Sequence, residues 1–201
     1  MLDLLFQNPI IFVLVAGALI VSISIHEFSH AFTAYKLGDS TPKKLGRVTL
    51  NPKAHLDPLG IIFLMFTGFG WGRPVPFNPF NLKNIKRDSA IISFAGPLSN
   101  FLLAIALSFV IKLTGGVTTL FGGFLYLTIL YNLMLGFFNL IPVHPLDGFK
   151  VVHGLLPNNL AIQWQQTQSF GVYILLFLIV TGFIGNFIAP LVGRTMNLLG
   201  L

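Results

Sequence analysis

The sequence has no cysteine among its 201 residues. Disulfides and thiolate metal sites are therefore excluded, and any metal must be held by histidine and carboxylate. Charge is nearly as scarce. Only 9% of the residues are Asp, Glu, Lys or Arg, against about 25% in an ordinary soluble domain. Glu27 is the only glutamate. The N-terminus carries Asp3 and no basic cluster, so a cleavable signal peptide is not expected. No internal repeat appears, and no polar stretch is long enough for an appended soluble domain, so a single membrane-embedded domain over 1–201 is expected.

What is present is apolar: 54% of the residues are hydrophobic, and the mean hydropathy is +0.82. About 20 apolar residues suffice to cross a bilayer as a helix. Runs at 9–35, 89–111, 118–141 and 169–189 meet that length. Asn8 and Pro9 suit a helix start, and Lys36 with Gly38 suits an end. The polar stretch 157–168 is expected at the interface. Segment 58–71 is apolar but short for a span, which is typical of a re-entrant piece. Gly68, Gly70 and Gly72 beside it suit a flexible loop or a close backbone approach. Segments 48–50 and 73–77 read as extended. The expected fold is an all-α polytopic membrane protein with about four spanning helices, plus a re-entrant segment and short extended strands between the first two.

Net charge is +6, and nine of the twelve Lys and Arg lie from Lys36 to Arg87. A basic loop of this kind faces the cytoplasm and anionic lipid headgroups. No basic face exists elsewhere, so nucleic acid is not an expected partner. The expected location is the cell membrane of a bacterium or archaeon, with a multi-pass chain and an active site toward the cytoplasm.

His26-Glu27-Phe28-Ser29-His30 fits H-E-x-x-H. On a helix the two histidines share one face and can reach one zinc ion, with the glutamate beside it as a general base. A carboxylate inside an apolar helix is costly, and intramembrane ionisable residues mark function. Zinc takes a third protein ligand and leaves its fourth position open. His55, His144, His153 and Asp147 are the candidates. His26 lies ten residues before Lys36, hence about 15 Å below the basic surface. If 58–71 does not span, the third long helix returns Asp147 to that depth; if it spans, Asp147 emerges on the opposite side.

These motifs resemble the site-2 protease family of intramembrane zinc metalloproteases, in a compact form without an inserted PDZ domain or a CBS domain. The H-E-x-x-H matches, as do Asn139, Pro142, Leu146, Asp147 and Gly148, and Gly96-Pro97-Leu98-Ser99-Asn100 resembles the family's middle helix. The resemblance implies one Zn2+ held by His26, His30 and Asp147, with Glu27 catalytic. It implies that Asn139 helps hold the substrate or the tetrahedral intermediate. Asn100 has two readings: a substrate-binding group at the site, or an interhelical hydrogen bond. His144 stands where relatives often have proline and reads as a surface histidine; His55 reads as a loop histidine. The expected substrate is a transmembrane peptide or protein, unwound locally and paired with 48–50 or 73–77 as an added strand. The oligomeric state is open. A metal or proton transporter and an inactive scaffold for transmembrane segments are the alternatives. A transporter is expected to show paired repeats.

Overall fold

The computed structural model describes residues 1–67 and 70–201, so Gly68 lies outside the described residues. The fold is helical throughout. A short α1 (Leu2–Gln7) leads into α2 (Pro9–Lys36). The cap expected at Asn8 forms, its side chain accepting from Ile11 N. After α3 (Thr41–Lys44) and the short α4 (Pro58–Thr67) come two long helices, α5 (Ile85–Leu113) and α6 (Leu120–Asn139). The chain then breaks into α7 (Asp147–Leu155) and α8 (Asn158–Gln166), and ends with α9 (Gln168–Val180) and α10 (Phe183–Leu198).

By length and composition, α2, α5 and α6 can each cross a membrane. The fourth expected span is not one straight helix. It divides into α9 and α10, bent by 72°. Gly182 at the break has φ 71°, a left-handed conformation that disfavours other residues and stops the helix. The apolar pattern runs straight through this point, so hydropathy could not reveal it.

The described part of the segment 58–71 is too short to carry the chain across. Helix α4 has ten residues, about 15 Å of rise against a hydrocarbon core of about 30 Å. Moreover, the ends of this excursion meet. Leu56 and Gly72 form an isolated antiparallel bridge, and Arg73 N donates to His55 O at 2.7 Å. The chain leaves and returns at one place, so α5 starts on the side where α2 ended. The strands expected at 48–50 and 73–77 do not form among the described residues; that bridge is all the sheet pairing present.

The core lies where α5, α6 and α10 pack, around Ala104, Ile111, Leu125, Ile129, Leu133, Ile188 and Val192. Small residues let the long helices approach. Ala18, Ala31, Ala34 and Ala104 are fully buried, and a Cβ on Gly136 would stand 2.9 Å from the Phe101 ring. Close packing of this kind holds helices together where lipid offers no hydrophobic driving force between them. Outward, Phe109, Phe170, Phe177 and Val180 stay exposed, as lipid-facing residues do.

Candidate metal centre and active site

His26 and His30 lie one turn apart on α2, and both are buried. Asp147 is the first residue of α7. The loop from α6 delivers it because Gly148 lies tight against the end of α6. A Cβ there would stand 2.3 Å from Leu140 O and 2.5 Å from Ile141 O. The three ligand-type atoms converge. Nε2 of His26 and Nε2 of His30 are 3.0 Å apart, and each is 3.1 Å from Asp147 Oδ2.

The hydrogen bonds behind the rings decide what these atoms are. His26 Nδ1 lies 2.7 Å from Asn100 Oδ1, and His30 Nδ1 lies 2.7 Å from Ile92 O. Both partners are carbonyl oxygens and can only accept. Each ring therefore donates from Nδ1, which in neutral imidazole leaves a bare lone pair on Nε2. Asp147 Oδ2 is buried and has no hydrogen-bond donor among the described residues. Three acceptors thus face one another with no donor between them, an arrangement that a cation resolves. A tetrahedral zinc with bonds of about 2.0–2.2 Å asks for ligand atoms roughly 3.3–3.5 Å apart, so a small adjustment of the side chains accommodates one. Of the expected donors, these three form the one His/Asp/Glu group found among the described residues that could hold a metal.

Asn100 is fully buried behind His26 and is not among the residues that line the cavity. Its amide donates to Ser22 O at 3.1 Å and to Asn132 Oδ1 at 2.7 Å, which fixes Oδ1 toward His26. Asn132 in turn donates to Ser22 Oγ and Thr128 O, both at 2.8 Å. This chain ties α2, α5 and α6 to one imidazole. Outer partners of this type set ring orientation and tautomer. Sequence reasoning missed Asn132 and Ser22. Asn132 carried a usable signal, being an amide in an apolar helix, and Ser22 lies one turn before His26.

Gly96 was noted only as part of a motif. A Cβ there would stand 2.4 Å from His30 Nε2 and 2.7 Å from His26 Cε1. Helix α5 can lie against both rings only because this position has no side chain. Pro97 beside it has no N–H to give to the Ser93 carbonyl.

A cavity of about 420 Å³ opens beside the centre, lined by Glu27, Trp71, Val75, Phe77, Asn139 and Lys150 together with the three ligand-type residues. Glu27 Oε2 accepts from Val75 N at 3.0 Å. Asn139 reaches the cavity and donates to Leu135 O at 3.0 Å. His55 is fully buried and bonded through Nε2 to Thr49 O at 2.7 Å, away from the centre. His144 packs edge-on against Phe149 and does not line the cavity. Nor does the 73–77 stretch offer an open strand edge. Arg73 N and Val75 N are already bonded, their carbonyl neighbours Arg73 O and Pro74 O are taken by Arg47, and Pro74 and Pro76 have no N–H. Added strands need free alternating donors and acceptors.

A helical membrane protein with two histidines and an aspartate converging beside a glutamate has the outline of a metal-dependent hydrolase. The comparisons make that class definite: the chain belongs to peptidase family M50, whose model matches residues 14–122 and 116–182. It is 40% identical over 171 residues to YwhC of Bacillus subtilis, covering 81% of this chain and 78% of that one. It is 28% identical over 185 residues to Rip2 of Mycolicibacterium smegmatis, covering 85% and 68%. With the Methanocaldococcus jannaschii protein MJ0392 it shares 30% identity over 155 residues, covering 75% of this chain and 36% of the relative. The names of all three carry the term zinc metalloprotease. No solved structure matches the chain. The protein is a zinc metalloprotease of the site-2 type and an integral membrane protein.

Proposed function

We propose that this protease hydrolyses peptide bonds of transmembrane segments within the bilayer, with His26, His30 and Asp147 holding one zinc ion and Glu27 acting as general base. The observation that carries this reading is the triangle of bare acceptors, 3.0–3.1 Å on a side, beside the chain's only glutamate. Zinc, when bound there, acts as a Lewis acid that polarises the scissile carbonyl and makes water a nucleophile near neutral pH.

The chain's own groups do the rest. Glu27 holds one oxygen on the Val75 N–H, while Oε1 has no hydrogen-bond partner among the described residues and is free to take the proton of the attacking water. The same carboxyl then gives that proton to the leaving amine nitrogen. Asn139, on the cavity wall, donates one amide N–H to Leu135 O, and in this reading its second N–H goes to a substrate carbonyl or to the tetrahedral oxygen. Asn100 and the Ile92 carbonyl keep both imidazoles in the Nδ1–H form. The depth of His26, about 15 Å from the basic end of α2, supports a reaction inside the apolar layer. Placement of the basic loop supports a cavity mouth on the cytoplasmic side.

The test is where the substrate is cut. Purified protein in liposomes should cleave a synthetic transmembrane peptide within its apolar segment, located by mass spectrometry of the products. Cuts confined to the polar flanks would contradict an intramembrane site. Zinc flux across the liposome without any cleavage would favour transport, and bound peptide left uncut would favour a scaffold.

A further inference from the structure

The loop between α3 and α4 holds a buried cation. Arg47 is 5% exposed, and no carboxylate lies within salt-bridge distance of it among the described residues. Its Nη1 donates to Pro74 O at 3.0 Å, Nη2 donates to Arg73 O, and Nε has no partner among the described residues. Burial pushes the guanidinium below its ordinary pKa, the Glu27 carboxylate pulls it back up, and Arg73 pushes it down. A buried, incompletely satisfied charge of this kind is costly. Holding two carbonyls of one irregular segment is a specific use for it.

That segment ends at Glu27. The residue after the two clamped carbonyls is Val75, whose N–H holds Glu27 Oε2 at 3.0 Å. Three residues further on, the segment is tied again, by Asn78 N to Asp39 Oδ2 at 2.6 Å and Asn81 Nδ2 to Asp39 Oδ1 at 2.7 Å. Asp39 is fully buried and follows the end of α2. Among the described residues, the other supports of the stretch between the two ties are the Arg73 N bond to His55 O and the packing of Phe77 against Ala34, Leu82 and Ile92; its prolines have no N–H.

We propose that Arg47 is a positioning residue for Glu27. By clamping the carbonyls of Arg73 and Pro74 it fixes the Val75 N–H, which holds one carboxylate oxygen and leaves the other to face the water. The proposal rests on the reading of Glu27 as general base. It makes Arg47 matter to turnover and little to metal binding, since none of its bonds reaches His26, His30 or Asp147.

The experiment uses the full chain in detergent, with a synthetic transmembrane peptide as substrate and hydrogen–deuterium exchange as a readout independent of activity. In Arg47→Met, uptake at the Val75 amide should rise at least about tenfold, while Asn78 stays protected. Zinc content should match wild type. A loss of about 100-fold in kcat is expected, with KM changed by less than about threefold. Arg47→Lys, with its charge kept but no paired donors, should recover part of the loss. Val75→Pro removes the N–H and should cost as much as Arg47→Met; the double variant should be no more than about threefold worse than either. Unchanged exchange at Val75 in Arg47→Met, or losses that multiply in the double variant, would overturn the proposal. Glu27→Gln separates the two readings. If it cleaves like wild type, the general-base reading fails. If it is inactive while Arg47→Met exchanges and cleaves like wild type, only the clamp fails.

Discussion

Gly96→Ala should weaken metal binding by this protein while leaving it folded. The added methyl would stand 2.4 Å from His30 Nε2, 2.5 Å from His30 Cε1 and 2.7 Å from His26 Cε1. Carbon and ring atoms separate to about 3.5 Å or more at rest, so rings or helix must move by roughly 1 Å. Neither ring has slack. His26 is bonded at 2.7 Å to Asn100, and His30 at 2.7 Å to the Ile92 carbonyl, which lies on the same helix as the new methyl. Metal sites tolerate about 0.2 Å of error in ligand distance. Overpacking one methyl costs about 1–3 kcal/mol, and if the ligands absorb it, zinc affinity falls roughly 10- to 100-fold. The assay is zinc retention against a graded chelator, measured by elemental analysis, with circular dichroism to confirm the helices. A variant that keeps wild-type zinc affinity would refute the claim that α5 seats both histidines at this glycine.

Asn100→Leu would leave the His26 N–H, Ser22 O and Asn132 Oδ1 without their partner, and should weaken zinc about 10- to 100-fold; Asn132→Leu, one bond further back, should lower thermal stability with a smaller change in zinc titration. Asp39 gives a pH-dependent prediction. Burial raises its pKa, but hydrogen bonds from Thr41, Asn81 and Asn78 outweigh that and hold it below the ordinary value. A depressed native pKa stabilises the fold above the unfolded value of about 3.9 and is lost as pH falls through the native one. Asp39→Asn should therefore melt lower at neutral pH and show a flatter loss of stability below about pH 4; identical acid limbs would count against it.

Legibility followed a physical divide. The cap at Asn8 and the one-turn spacing of His26 and His30 depend on neighbours in sequence, and each is found in the structure as expected, whereas the cap at Asn84 was not anticipated. Asp147 came into reach through chain direction, once 58–71 was read as too short to cross. What stayed hidden depends on register between helices. Nothing local says that Asn100 meets Asn132 rather than substrate, or that Gly96 faces two imidazoles. The bend at Gly182 is masked because the stretch around it carries no charge and stays apolar on average. The extended reading of 73–77 had no local sign that Arg47, 26 residues before Arg73, takes the carbonyls of Arg73 and Pro74.

The central claim is that Glu27 performs proton transfer beside a zinc ion it does not hold. Wild type and Glu27→Gln should be compared on one preparation each, for zinc per chain and for cleavage of the same transmembrane peptide. Both should carry one zinc per chain, and the variant should lose at least about 100-fold in kcat. Cleavage at the wild-type rate with zinc in place would contradict the account.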